Sequence, residues 1–329
     1  MPHPVVTLAA RIHRHGGPEV LQIESVELPE PGPGEVRIRQ TAIGLNFAEV
    51  YQRKGVPGPY AGTTFPAILG SQGAGVVEAV GAAVKDIAVG EEVAYFQPGA
   101  YSAVRLVSAE RVLKLPPGIS AEVSAAWMLR GMTAEYLLRR LYRVQAGETI
   151  LVHAAAGGMG VVLTQWAKAL GARVIGTVGS PEKAALARAH GCDHVIDYRN
   201  ADFVAAVAEI TGGAGVPVVY DGVGRDVFSG SLDCLRLKGW MISYGAASGP
   251  VEPLDIQTLS QKSLIVTKPS LRGYTATDEE MRASAADFFA AVAGGLRLEV
   301  SQRYRLEDIA QAHEDLEARR TTGASILVP

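Results

Sequence analysis

The run Ile150-Leu151-Val152-His153-Ala154-Ala155-Ala156-Gly157-Gly158-Met159-Gly160 holds the most informative chemistry in the chain. An apolar strand pattern stops, the smallest residues follow, and a helical pattern opens directly afterwards. Small residues at such a bend let the backbone approach a diphosphate. The helix N-terminus then offers it free N–H groups and a positive dipole end. The spacing is Ala155-x-Gly157-x-x-Gly160, with alanine in place of the first glycine of the usual dinucleotide fingerprint. Two other glycine clusters, Gly70-x-x-Gly73-x-Gly75 and Gly212-Gly213-Ala214-Gly215, lack this strand-before, helix-after context. The bend therefore predicts a dinucleotide held by Ala156, Gly157, Gly158 and Met159.

The choice of dinucleotide is read about 20 residues further on, where an acidic side chain would bind a free ribose 2′-hydroxyl. Here the second strand ends in Thr177-Val178-Gly179-Ser180, followed by Lys183, with Tyr198 near the end of the third strand. Without a carboxylate a 2′-phosphate meets no repulsion, and Ser180 and Lys183 supply donors. Ser180 before Pro181 also forms a good N-cap and first-turn pair, which is compatible with phosphate binding. Lys183 taken alone could be a surface lysine. A charged hydrogen bond is worth roughly 1.5–3 kcal/mol, a preference of about 10- to 100-fold, and NADPH is favoured.

Other chemistries find no support. His190, Cys192 and His194 cluster in sequence but span a helix end, a turn and a strand start, so their side chains should diverge rather than gather on a metal. No cysteine precedes Cys192, so the first third of the chain has no thiolate for zinc. No Tyr-x-x-x-Lys pair and no Gly-x-Ser-x-Gly elbow occurs. His153, beneath the glycine bend, reads as a packed residue, and His3, His13, His15 and His313 have no partner pattern. The two cysteines, Cys192 and Cys234, exclude a disulfide framework and fit a reducing cytosol. The start Met1-Pro2-His3-Pro4-Val5-Val6 is too short and broken for a signal peptide, and no stretch reaches the ~20 apolar residues of a membrane helix. A net charge of -3, with no basic stripe, argues against a nucleic-acid partner. Arg139-Arg140 and Arg319-Arg320 read as solvated helix faces.

The elements that must position this chemistry fall into two textures, and 329 residues are enough for two domains. Residues 5–115 read as short strands and turns, including Val36–Arg39, Gly75–Val80 and Glu92–Tyr95, and predict a β-barrel-like domain. From Ser120, a predicted helix cap, the texture changes. A second helical stretch, Thr133–Leu141, leads into alternating strands and helices. The strands are Thr149–His153, Arg173–Val178, His194–Asp197, Pro217–Tyr220, Trp240–Tyr244 and Leu264–Thr267. The helices are Met159–Leu170, Pro181–His190, Asp202–Thr211 and Arg225–Leu235. This alternation predicts a doubly wound parallel sheet. The tail carries helices Asp278–Ala293 and Leu306–Arg319 and a last strand Ser325–Val328. The expected domains are 1–129, 130–271, and 272–329 rejoining the first.

The chain resembles the quinone oxidoreductase (zeta-crystallin-like) branch of the medium-chain dehydrogenase/reductases essentially end to end. The specific stretches are Gly34-Glu35-Val36, Gly44-Leu45-Asn46-Phe47 with Tyr51, and Val152–Gly158. They continue through Gln165-Trp166-Ala167-Lys168, Gly176-Thr177-Val178-Gly179, Val219-Tyr220-Asp221 and Pro269-Ser270-Leu271. The resemblance implies a GroES-like β-barrel catalytic domain plus a Rossmann domain, an α/β fold with a cleft between the two, and a homodimer. It implies hydride or electron transfer from NADPH to a quinone or similar electron-poor carbonyl compound, without zinc. Asn46 and Tyr51 would line the nicotinamide and substrate end. Thr133, Gly157, Gly158, Met159, Gly179, Ser180, Lys183, Tyr198, Gly222, Tyr244 and Gly245 would touch the cofactor. Reduction of enals or enones is an alternative activity, and a non-catalytic crystallin-like or RNA-binding role is a third. Two positions depart from the pattern. Ser71-Gln72 stands where many relatives have a residue followed by Glu, and zinc-bearing cousins have His-Glu. Gly222 follows Asp221 where close relatives often carry Ser, which would remove one hydroxyl contact to the cofactor.

Overall fold

A computed structural model describes residues 5–56 and 62–329. His3 lies outside the described residues. Two compact units divide the chain, one of residues 1–132 and 275–329, the other of residues 133–274.

The first unit is built on a seven-stranded sheet. Its path runs Val300–Arg305, Ala324–Val328, Glu35–Leu45, Gln72–Val80, Glu92–Phe96 and Val112–Lys114, with Val104–Ser108 also paired to Glu35–Leu45. The Glu35–Leu45 strand shows how sequence sets this sheet. Val36 and Ile38 point into the core while Arg37 and Arg39 point outward, the period-two alternation of a half-buried strand. Its last four residues, Ala42 to Leu45, are all buried, because there the strand lies between Ala324–Val328 and Gln72–Val80. Ile12, Ile38, Ile43, Tyr95, Val107 and Leu327 belong to the core behind it. The strand delivers the chain to Asn46, where the short helix Phe47–Lys54 begins; Gly55, at φ 66°, ends it in the left-handed conformation that favours glycine.

Ser120 caps the next helix as expected, its Oγ accepting from Val123 N at 3.2 Å. The expected break before Thr133 does not exist. An α-helix over Ala121–Glu135 continues without interruption into a π-helical segment, Tyr136–Leu141. Arg139 and Arg140 are exposed, as expected; Arg140 also pairs with Glu135 at 3.0 Å and lies 5.3 Å from the ring centre of Tyr274, which stacks on Tyr136 at 4.2 Å. Arg319 and Arg320 lie in the turn after the helix Ile309–Glu317, where Arg320 pairs with Asp315.

The second unit holds an all-parallel six-stranded sheet in the order His194–Asp197, Arg173–Val178, Thr149–Val152, Val216–Asp221, Leu235–Ser243, Ile265–Thr267. Val216–Asp221 is buried at every position, the continuous apolar run expected of a central strand covered on both faces. The helices Gly158–Ala169, Pro181–Ala189 and Phe203–Ile210 connect the strands. Leu235–Ser243 begins five residues before its predicted start at Trp240. Arg236, Leu237 and Lys238 are exposed there, so no alternation marks the early part as strand.

Candidate functional site

Five strands of the second unit end side by side, and each is followed by a residue singled out from the sequence. His153 and the bend follow the first, Gly179 the second, Tyr198 the third, Gly222 the fourth, and Tyr244 with Gly245 the fifth. Register explains the alignment, since Val178 pairs with Asp197 and Asp221 with Ser243. The carboxyl edge of such a sheet is where doubly wound folds bind ligands. A cavity of about 490 Å³ opens at the opposite edge beside Thr149, Arg173 and His194, and no predicted site residue lines it.

The bend is drawn tight. Ala155 N donates to Thr177 O at 3.0 Å and Gly157 N to Ala154 O at 2.8 Å, with Ala154 at φ 53°. Gly157 is the N-cap of the Gly158–Ala169 helix. The first-turn N–H groups of a helix have no partner within it, so those of Gly158 and Met159 are available to an anion. Gly160 is forced by packing: a Cβ there would sit 2.3 Å from Ala154 O and 2.5 Å from Ala155 Cα. Ala156 is buried behind the bend.

At the second strand end, Ser180 caps the Pro181–Ala189 helix by accepting from Lys183 N at 3.3 Å. A Cβ on Gly179 would lie 2.9 Å from the Tyr198 hydroxyl and 3.4 Å from Arg199 Nε. Glycine thus lets the third strand's end, with Tyr198 and Arg199, close over the second strand's end at Gly179. At the fourth and fifth ends, a Cβ on Gly222 would meet the Tyr244 ring at 2.8 Å and its hydroxyl at 2.9 Å. Gly245 packs equally close on the Gly222 backbone, and Lys268 Nζ donates to Gly245 O at 2.8 Å. Asp221 Oδ1 accepts from Val223 N and Gly224 N, pinning the turn, and burial raises its carboxyl.

In the first unit, Asn46 is 3% exposed, and neither atom of its amide has a partner. Such a buried polar group costs free energy unless something completes it. Glu49, in the first helical turn, is fully buried; its Oε2 accepts from Asn46 N at 2.8 Å and its Oε1 from Ser71 Oγ at 2.7 Å. Burial raises its carboxyl to about 7 against the hydrogen bonds and the Arg130 charge that lower it. Arg130, itself lowered to about 10 by burial, donates to Leu45 O at 2.8 Å and to Ala126 O. Gln72 Oε1 accepts from Leu129 N at 2.6 Å, while its Nε2 has no partner. Tyr51, half-buried on the same helix, packs against Phe47 at 5.5 Å.

Other candidates sit elsewhere. Thr133 is buried within the long helix. His153 is fully buried between Thr177 Oγ1 and Ser231 Oγ, both at 2.8 Å. Ser231 Oγ donates to Val227 O, so it accepts from His153 Nε2–H. Burial lowers the pKa of His153 to about 3, which unfits it as a base near neutrality. His190 bonds Gln165, Cys192 touches Thr164, and His194 is exposed. Among the described residues no group of His, Cys, Asp or Glu side chains is arranged to hold a metal ion.

The family model described as "Alcohol dehydrogenase GroES-like domain" matches residues 32–146, and "Zinc-binding dehydrogenase" matches residues 158–291. A quinone oxidoreductase of Pseudomonas aeruginosa is 49% identical over 319 residues, 96% of this chain and 97% of that one. The chain belongs to the quinone oxidoreductase branch of the medium-chain dehydrogenase/reductases. Within this branch, the Escherichia coli quinone oxidoreductase solved in complex with NADPH superposes with a TM-score of 0.93 at 45% identity, covering 99% of this chain and 100% of that one. A 2-haloacrylate reductase of Burkholderia is 44% identical over 98% of this chain and 99% of its own length. Beyond the residues that the family pattern implies, the structure adds Glu49, Lys268 and Arg199. Arg199 had a sequence signal, a basic residue directly after Tyr198. Glu49 stands at capping-box spacing from Asn46, which signals a helix start only; its bond to Ser71, like that of Lys268 to Gly245, joins residues remote in sequence.

Proposed function

We propose that this quinone oxidoreductase family member oxidises NADPH and reduces quinones or related electron-poor carbonyl compounds without a metal. The observation that carries this reading is the carboxyl edge of the parallel sheet. There a tight small-residue bend opens a helix, and the adjoining strand end offers Ser180, Lys183, Tyr198 and Arg199 with no carboxylate at Gly179. The close packing at Gly160 and the orphaned Asn46 amide both fit a bound dinucleotide: the first keeps the bend open to a diphosphate, the second awaits a polar ligand.

In this reading the N–H groups of Gly158 and Met159 hold the diphosphate, with Ala156 and Gly157 shaping the bend. Lys183, Arg199, Ser180 and Tyr198 surround the 2′-phosphate. Thr133, Gly179, Gly222, Tyr244 and Gly245 complete the cofactor site. NADPH supplies a hydride when bound, and the protein supplies position and exclusion of water. Asn46 and Tyr51 line the acceptor, and the Tyr51 hydroxyl donates to its developing oxyanion. A quinone is already a good hydride acceptor, so no Lewis acid is needed. Cys192 being the first cysteine, and Ser71-Gln72 in place of His-Glu, agree with that.

The decisive experiment pairs titration calorimetry with turnover. NADPH should bind at least tenfold more tightly than NADH, and its oxidation by a simple quinone should survive a chelator and vanish in Gly157→Asp. Equal affinity for the two coenzymes, or strong chelator sensitivity, would overturn the reading. Similarity to a 2-haloacrylate reductase favours a second reading, hydride addition to an activated carbon–carbon double bond, which side-by-side turnover of a quinone and an enone separates.

The assembly proposed is a homodimer. Ile265–Thr267 is the edge strand of the six-stranded sheet, and Ile265, Ile256 and Leu237 are 38%, 71% and 69% exposed. Light scattering at micromolar concentration should return twice the chain mass. A reducing, cytoplasmic setting is proposed from the two free, buried cysteines. No described helix is long and apolar enough to cross a membrane.

A further inference from the structure

Glu49 does more than the cap position asks of it. A carboxylate or an amide serves equally well three residues after a helix N-cap, where the side chain reaches back to the cap's N–H. A glutamine would do this without burying a charge, yet the chain places an acid there with no exposed surface. Its second oxygen is spent on Ser71 Oγ, 2.7 Å away and 22 residues downstream. Three buried polar atoms without partners stand on the residues flanking this pair: both amide atoms of Asn46, whose N–H Glu49 holds, and Nε2 of Gln72, next to Ser71. Ser71 itself is partly exposed. The arrangement is a buried acid, a hydroxyl bonded to it on a partly exposed residue, and unfilled hydrogen-bonding capacity on either side.

We propose that Ser71 and Glu49 form a two-member proton relay that protonates the reduced acceptor; this rests on the reading of the chain as an NADPH-dependent reductase. Hydride addition leaves the acceptor one proton short. When Glu49 is a carboxylate, Ser71 must donate to Oε1. When Glu49 is protonated, Oε1–H donates to Ser71 Oγ, and the serine hydrogen turns outward. As the acceptor anion takes that hydrogen, the Ser71 O–H bond breaks and the Glu49 proton moves to Ser71 Oγ. Two electrons have entered the acceptor with the hydride, one proton has followed, and Glu49 remains as a carboxylate until water reprotonates it. The charged and titratable groups facing Glu49 suit both states. Arg130, from the long helix, stabilises the carboxylate, while the Tyr101 hydroxyl stays neutral. With glutamine rather than glutamate at position 72, Glu49 does not share Arg130 with a second carboxylate from that strand. Burial keeps Glu49 protonated toward neutral pH, where an unshielded glutamate would already be spent. Ser71 is the catalytic residue of the pair, and Glu49 acts through it.

The test uses full-length enzyme with NADPH and a two-electron acceptor, and compares wild type, Glu49→Gln, Ser71→Ala and Ser71→Thr. Wild-type kcat should fall about tenfold per pH unit above about 7. Both Glu49→Gln and Ser71→Ala should lower kcat at pH 6 by about 10²-fold or more and lose that limb, with NADPH affinity unchanged by calorimetry. Ser71→Thr should restore most of the rate. A carboxyl infrared band should titrate near pH 7 in the wild type and in Ser71→Ala, and be missing in Glu49→Gln. If Glu49→Gln fails to fold, Ser71→Ala alone decides between the outcomes. Variants that turn over within twofold of wild type, or a limb that persists in either, would overturn the relay while leaving the proposed function standing. Wild-type protein that takes up no NADPH would overturn both.

Discussion

Where the family resemblance leads to the expectation of a serine hydroxyl, Gly222 leaves room for the Tyr244 ring, whose oxygen lies 2.9 Å from where a Cβ would stand, so a hydroxyl reaches the spot from the neighbouring strand end. Gly222→Ser should therefore collide with the ring and weaken NADPH binding about tenfold, measured by calorimetry, and adding Tyr244→Ala should recover part of the loss. If the serine is harmless, the two positions are not exchanging roles. The 2′-phosphate residues make a second prediction at this scale. Replacing Lys183 or Arg199 with alanine removes a charged hydrogen bond worth roughly 1.5–3 kcal/mol, lowering NADPH affinity about 10- to 100-fold and leaving NADH affinity alone. Loss of both coenzymes together would instead mark Arg199 as a structural residue. Lys183 was legible from its offset to the glycine bend. Glu49 was not, because its meaning comes from Ser71, which only the register of the barrel sheet brings within hydrogen-bond reach.

At the scale of elements, the bend owes its shape to one contact. Gly160 lies against the Ala154 carbonyl and the Ala155 backbone, neither of which can swing aside as a side chain end would. Gly160→Ala should shift the helix start, lower stability by about 1–3 kcal/mol by thermal or denaturant unfolding, and abolish NADPH uptake. An alanine variant with ordinary stability and affinity would show the bend to be loosely built. The βαβ order was legible because alternating apolar runs and helical patterns recur from Thr149 to Thr267, and caps such as Ser180 and Asp202 mark the starts. Two features were not. A π-helical segment keeps the composition of an α-helix, so Tyr136–Leu141 carries no distinguishing pattern, and its stack on Tyr274 joins residues far apart in sequence. Likewise Arg236–Lys238 are exposed residues in the irregular stretch between the Leu235–Val216 and Trp240–Val218 pairs, with Lys238 at φ 60°, so neither burial nor alternation marks them as strand.

Across the whole molecule, each unit keeps one neutral histidine at its centre. His153 is held in the second unit between Thr177 and Ser231. His313 is held in the first, where its Nδ1 accepts from Arg53 at 3.0 Å and its Nε2 donates to Tyr101 Oη at 3.2 Å. Burial lowers both pKa values to about 3, and the Arg53 charge adds to the effect on His313. The unfolded chain takes up protons on both histidines below their ordinary value of about 6.5, whereas the folded chain does not until about pH 3. Their contribution to stability is therefore complete above about pH 6.5 and declines as the pH falls toward 3, at up to about 1.4 kcal/mol per pH unit for each. Glu49 works in the opposite sense between about 4.5 and 7, since its folded carboxyl holds a proton that the unfolded one releases, and it cancels the slope of one histidine in that window. The melting temperature should thus drop moderately from pH 6.5 to 4.5 and more steeply below. Because Glu49 sits in the same unit as His313, the second unit should lose protection from about pH 6.5 downward and the first from about pH 4.5 downward. His313→Gln should flatten the acid limb for the first unit while leaving the second unit's response intact, read by hydrogen exchange resolved to peptides of each. A melting temperature that stays level down to pH 4.5, or a variant that flattens neither unit, would mean that the buried rings take up protons without loss of the fold.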